Sequence, residues 1–291
     1  MTTAASAGGS VMIREMAASD IAAALRLSRA AGWNQTEADW GFLLEENRGR
    51  FVVAVRDGAV VGTGGAACYE KRLAWVCMIL VDTAARGHGL GSAIVTAVLD
   101  RVAHVQTVGL DATPSGRPVY ERLGFVAASA LARVGGSAKD ASSEGNRADT
   151  RPVEAGDLET ILALDPEAFG ADRSRVIRWA HAQAPALAWC VKHRHAIVGY
   201  CFGREGDRAV HVGPVVAQDV AMARALVAKA ATAAAGRDLM LDVPTAAPGW
   251  MAALQDLGLR EQRPFTRMYR KGARPPGYSE LTFAAFGPEL G

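Results

Sequence analysis

The chain has 291 residues, half of them hydrophobic and 21% charged, with 32 Lys and Arg against 30 Asp and Glu for a formal charge of +2. The length suggests about two domains of an ordinary globular protein. So even a charge balance does not imply nucleic acid or an anionic membrane as the main partner, and any attraction for a phosphate-bearing ligand has to be local.

Residues 1–10, MTTAASAGGS, read as a disordered leader, with no basic cluster ahead of an apolar core as a secretory signal would need. No apolar run reaches the ~18 residues of a membrane span, so the expected location is cytoplasmic. The stretch IREMAASDIAAALRLSRAAGW predicts a short strand, a turn carrying Asp20 and an amphipathic helix. AGWNQTEADW, residues 31–40, joins that helix to the next, and Trp33 and Trp40 in it suit core anchors. FVVAVRDGAVVGTGGAA predicts a hairpin, and LAWVCMILV the strand that follows. A glycine-rich loop, AARGHGLGSA, leads into the helical run AIVTAVL. VGLDATPSG then gives a strand and a turn, and a helix ends at RLGF.

Residues 135–150, GGSAKDASSEGNRADT, are small and polar and predict a linker. Beyond it the order returns. TRPVEAGDLETILALDPEAFG repeats the strand, turn (Asp157) and helix, and LAWCVKHRHAIVGYCFG repeats the hairpin. AVHVGPVV and LMLDVPTAAPG supply the later strands, and the last helix ends at DLGL. The pattern is an internal duplication of one α+β unit. Cys68, Cys77, Cys190 and Cys201 stand singly in apolar stretches without CxxC spacing, which reads as small buried hydrophobes rather than metal or redox ligands.

The glycine loop admits three phosphate-binding designs. A nucleotide P-loop needs a lysine, and none is near. The dinucleotide fingerprint GxGxxG turns directly from strand to helix, whereas here the spacing is GxGxG and DTAA intervenes. Asp111 lies where a ribose-binding acid might stand, but at the end of a later strand of the same unit. The third design, RGxGxG after a valine and four residues, fits from Val81 to Gly91. Its glycines permit positive φ and close approach of backbone amides at a helix start, where the dipole favours an anion. This resembles the pyrophosphate motif of the GNAT superfamily of acyl-CoA N-acyltransferases. VYERLGF, residues 119–125, resembles the Y-x-x-x-G-F segment of the same superfamily. The position seven residues before its tyrosine, often Asn in that family, is Thr113 here.

The resemblance implies an α+β fold of two tandem GNAT domains, each a mixed, mostly antiparallel twisted sheet flanked by helices. It implies a catalytic domain over 11–134 and a degenerate GNAT-like domain over 151–291, as in a group of bacterial tandem-GNAT proteins. Acetyl-CoA is the implied co-substrate, without a metal. Its arm is expected along Ile79, Leu80 and Val81, and its pyrophosphate on Arg86, Gly87, His88, Gly89, Leu90, Gly91 and Ser92. His88 reads equally as an exposed variable position. Tyr120 is the implied general acid, since a phenol of pKa about 10 can protonate a departing thiolate; in isolation it reads as a packed ring. Glu70 and Asp82 are open possibilities for a general base, and Trp33 and Asn34 for acceptor contacts.

In the second half Asp219 falls where pyrophosphate should lie and Leu254 where the tyrosine should be, so acyl-CoA is expected only in the first copy. The expected reaction is direct acetyl transfer to a small-molecule amine, with neither nucleic acid nor membrane as partner. A mycothiol-synthase-like acetyltransferase and a non-catalytic acyl-CoA sensor are the alternatives. Two fused copies favour a monomer over a homodimer.

Overall fold

The computed structural model describes residues 3–4, 10–138, 149–194, 196–271, 273 and 277–291. The chain divides into two units. Unit 1 comprises Met1–Ala127, Met268–Ala273 and Leu290; unit 2 comprises Ala128–Arg267, Arg274–Glu289 and Gly291.

Unit 1 contains β1 (Thr3–Ala4), β2 (Val11–Glu15), α1 (Ile21–Ala30), α2 (Glu37–Glu46), β3 (Val52–Arg56), β4 (Ala59–Tyr69), β5 (Leu73–Val81), α3 (Leu90–Arg101), β6 (Thr107–Ala112), α4 (Arg117–Arg122) and the start of β7 (Phe125–Ser137). Its strand order is β1-β2-β3-β4-β5-β6, with β13 (Arg260–Arg270) next to β6. Only the last three residues of β13 belong to this unit, and Met268 lies in its apolar core beside Val108 and Phe125. The described pairings from β1 to β5 are antiparallel, and β5–β6 is parallel. Asp57 and Gly58 both take positive φ (50° and 77°) in the β3–β4 turn, the geometry that a two-residue hairpin of right-twisted strands demands. Helix α3 buries Ile94, Val95, Val98 and Leu99, one face at helical spacing, against β3, β4 and β5.

Unit 2 contains the rest of β7, then β8 (Asp149–Pro152), α5 (Ala155–Phe169), α6 (Ser174–Gln183), β9 (Trp189–His193), β10 (Ala196–Arg204), β11 (Val210–Val216), α7 (Val220–Ala233), β12 (Asp238–Pro244), α8 (Trp250–Asp256), most of β13, and β14 (Thr282–Ala284). Its order is β7-β12-β11-β10-β9-β8, with β14 on β11. Among its described pairings again one, β11–β12, is parallel.

The duplication is visible in chemistry as well as order. Arg14 grips Asp20 with two hydrogen bonds of 2.7 and 2.8 Å, and Asp20 also accepts from the Ala17 amide at 2.8 Å. Asp157 likewise stands six positions after Arg151, accepting from it at 2.7 Å and from the Glu154 amide at 2.9 Å. Each carboxylate ties a strand, β2 or β8, to the helix that follows it.

The boundaries differ from the expected ones. The stretch 135–150 is strand at both ends, because β7 continues through Ser137 in register with β12 (Leu239↔Gly136, Asp238↔Ser137) and β8 starts at Asp149. Backbone pairing needs no large side chains, so small composition there did not end the strand. Residues 139–148 lie outside the described residues. Of the expected leader, Thr3 and Ala4 pair with Met12 and Val11, while 1–2 and 5–9 lie outside the described residues. Trp40 is fully buried and donates its indole N–H to the Ser28 hydroxyl at 3.1 Å, as a core anchor.

Unit 2 holds more buried charge than its apolar sequence suggests. Arg133 binds Asp242 through two hydrogen bonds (2.8 and 2.7 Å), Arg173 does the same with Asp165 (both 2.8 Å), and Arg204 pairs with Glu289. The Tyr200 hydroxyl completes the second group by donating to Asp165 at 2.5 Å.

Candidate active site

β5 changes character midway. Against β4 its register slips between the Thr63↔Leu80 and Gly65↔Cys77 pairs, so β5 carries one extra residue there. Met78, inside that bulge, has φ +57°, a left-handed conformation rare for a residue with a side chain. The hydroxyl of buried Thr63 donates to the Met78 carbonyl at 2.8 Å. On its other edge β5 pairs with β6 only at Leu73↔Thr107, Ala74↔Val108 and Trp75↔Gly109. Past Trp75 the two parallel strands part, leaving the end of β5, which includes Ile79, Leu80 and Val81, unladdered towards β6.

The parted end leads into the glycine loop. Asp82 accepts from the Ala84 amide at 3.0 Å and sets a short turn over Thr83–Ala85. Arg86 is exposed, and its Nε donates to the Val81 carbonyl at 3.0 Å, which returns the side chain to the end of β5. Gly87 (φ +87°) and Gly89 (φ +75°) both need a conformation that other residues adopt only with strain, and Gly89 is the residue from which α3 starts. No side chain caps α3. The amides of Leu90, Gly91 and Ser92 therefore have no partner among the described residues, and they form the positive end of a twelve-residue helix. His88 is exposed on the loop.

Tyr120 stands on α4, which packs on α3. Its half-buried ring packs against the apolar core that includes α3, as Ile79, Val81 and Leu123 also do, and meets Phe125 edge-on at 6.0 Å. Burial pushes its phenol well above the ordinary tyrosine range, and the nearby Cys77 thiol pushes the same way. The hydroxyl thus stays protonated beside the bulged part of β5. Thr113 does useful work where the family often has Asn: its hydroxyl accepts from the Gly116 amide at 3.2 Å and holds the turn before α4.

The other expected residues are more dispersed. Trp33 and Asn34 sit in the α1–α2 connection, Trp33 half-buried and Asn34 buried. Glu70 lies in the β4–β5 turn, at the opposite end of β5 from the glycine loop. Asp82 is engaged in capping its own turn and lies 3.7 Å from Arg26. Thr63 and the bulge at Met78 were not legible beforehand: a methionine gives no sign of a positive φ, and a strand threonine gives no sign of its partner. Among the described residues, no group of three or more His, Cys, Asp or Glu side chains could hold a metal ion, and no helix is long and apolar enough to cross a membrane.

Known proteins point the same way. Two models described as acetyltransferase (GNAT) domain match the chain, one over residues 33–138 and the other over 161–284. An uncharacterized N-acetyltransferase, YitH of Bacillus subtilis (strain 168), is 24% identical over 254 residues, covering 86% of this chain and 88% of that protein. The crystal structure of a putative acetyltransferase from Pyrococcus horikoshii superposes with a TM-score of 0.81 at 19% identity, over 97% of this chain and 96% of the other. A GCN5-related N-acetyltransferase from Sphaerobacter thermophilus gives a TM-score of 0.68 at 18% identity, over 92% and 98%.

Proposed function

Because the chain belongs to the GNAT acetyltransferases, with one such domain in each half, we propose that unit 1 transfers an acetyl group from acetyl-CoA to the amine of a small molecule by direct attack. The observation that carries this reading is the parting of β5 from β6 after Trp75 and Gly109, on the strand that leads into the uncapped helix α3. An extended amide-bearing arm fits such a parted edge as an added strand would. The residues present suit the group: open amides, glycines at positive φ and one arginine at the loop, unladdered backbone on β5, and a protonated phenol beside it.

When bound, acetyl-CoA supplies an activated thioester. Arg86 and the amides of the loop from Gly87 to Ser92 hold its pyrophosphate, with His88 at the rim. The backbone of Ile79, Leu80 and Val81 hydrogen-bonds the arm, and an amide near Val81 polarises the reacting carbonyl. Tyr120 would give its proton to the departing sulfur and regain one from solvent, to which the attacking amine loses its own. Trp33 contacts the acceptor, while buried Asn34 fixes the connection that presents it. Thiol release from acetyl-CoA across a panel of small amines tests the reading. Turnover with at least one amine is expected; coenzyme A binding without turnover on any of them would leave a sensor instead.

A further inference from the structure

The second GNAT domain repeats the parted strands of the first, and there the gap is filled. β11 and β12 pair in parallel at Val210↔Leu239 and His211↔Met240 and then separate. Into the separation comes β14. It pairs antiparallel with β11 at Val215↔Ala284 and Val216↔Thr282, and Ala285 bridges to Asp242 of β12. The Ala217 amide donates to the Leu281 carbonyl at 3.0 Å, and the Ala285 amide to the Asp242 carbonyl at 2.8 Å. The segment is thus hydrogen-bonded on both sides.

Two further contacts fix the segment. Trp250, fully buried on α8, donates its indole N–H to the Phe283 carbonyl at 2.9 Å and meets the Phe283 ring edge-on at 5.3 Å. A Cβ added at Gly213 would stand 2.0 Å from the Ala285 carbonyl oxygen, so β11 carries glycine where the segment crosses it. The anion end is closed as well, since the Asp219 carboxylate caps α7 by accepting from the Met222 amide at 2.8 Å.

We propose that the segment Leu281–Phe286, with β14 at its centre, is a resident peptide occupying the cleft in which a GNAT domain takes the arm of its acyl-CoA, so the chain carries one exchangeable cofactor site and a second that it fills with itself. The proposal rests on reading the parted β5–β6 edge of unit 1 as the acyl-CoA cleft. It goes beyond a loss of site residues from the second copy: the vacated space has a permanent peptide tenant with its own anchors.

Amide hydrogen exchange on the full chain tests it in two arms. Without ligand, the Ala217 and Ala285 amides are expected to exchange within roughly tenfold of Leu241 in the adjoining strand, as parts of one cooperative unit. Trp250→Phe should speed exchange at Ala285 by about fivefold, the effect of one lost hydrogen bond. Exchange at the rate of a fraying terminus would overturn the proposal. With saturating coenzyme A, calorimetry should give one equivalent per chain and protection at Ala217 and Ala285 should not change. A second equivalent, or loss of that protection, would also overturn it. If no coenzyme A binds at all, the function proposed for unit 1 falls, while the ligand-free arm still decides whether the strand is resident.

Discussion

Thr63 donates its hydroxyl to the carbonyl oxygen of Met78 across 2.8 Å, and this bond spans the point at which β5 carries its extra residue. Thr63 is fully buried, so in its absence that carbonyl has no water to turn to. Thr63→Val keeps the shape and removes the bond. It is expected to lower kcat about ten- to a hundredfold by letting the bulge shift. Thr63→Ser should restore most of the loss. Wild-type kcat in the valine variant would show that the bulge is set by other contacts.

Tyr120→Phe is expected to reduce kcat by about a hundredfold or more, the usual contribution of a positioned proton donor, with coenzyme A affinity nearly unchanged. Since burial holds the phenol above its ordinary range, its ionisation should not cause a fall in rate below about pH 10. A variant that turns over normally, or one that loses coenzyme A binding, contradicts the proton-donor role.

Gly89→Asp places a carboxylate at the head of α3, where three amides stand open. Aspartate tolerates the φ of +75° better than most residues, so charge dominates the expected effect. Coenzyme A affinity should fall at least tenfold while the melting temperature moves little. Undiminished affinity by calorimetry would remove the glycine loop from the cofactor site.

Asp157 is held well below the usual carboxylate range, chiefly by its hydrogen bond from Arg151, against a smaller opposing effect of burial. A depressed pKa stabilises the fold above the unfolded value of about 4, and that stabilisation is lost as the pH falls below it. Asp157→Asn should therefore cost about 2 kcal/mol at pH 7 and much less at pH 2. Urea unfolding at the two pH values measures the difference; an equal loss at both would assign the effect to shape rather than charge.

His211 is buried, and burial pushes its pKa down to about 3, with Arg204 and Arg133 opposing protonation and Asp242 favouring it. The unfolded chain takes up a proton near pH 6.5 while the folded chain does not, so this histidine lowers stability as pH falls from about 6.5 towards 3. His211→Gln should flatten the decline in urea midpoint between pH 7 and pH 5, whatever its effect on the midpoint itself. An unchanged slope would mean the imidazole is already charged in the fold.

Much of this architecture was legible because each copy kept local signals. Asp20 and Asp157 mark equivalent helix starts, and Asp57-Gly58 marks a hairpin. The turn at the glycine loop was legible because the positive φ of Gly87 and Gly89 suits few other residue types. What escaped depends on distant partners. Alternation marks a strand but does not say which strand it joins, so nothing before Ser137 or in Arg260–Arg270 disclosed that both pass from one unit to the other. Thr282–Ala284 is three residues long near a terminus, too short for any periodicity. Helix α6 added a second helix to the expected opening of the second copy.

Unit 1 is completed by Met268–Ala273, and unit 2 begins at Ala128. A gene cut within 139–148 would therefore not yield two independent proteins. The N-terminal fragment would leave the outer edge of β6 bare, an invitation to aggregate, and would carry ten residues of β7 that belong to the other half. The dependence runs one way: residues 128–291 hold all of unit 2, whereas unit 1 draws Met268–Ala273 and Leu290 from the far end of the chain, so removal of the C-terminal half takes part of the first domain with it.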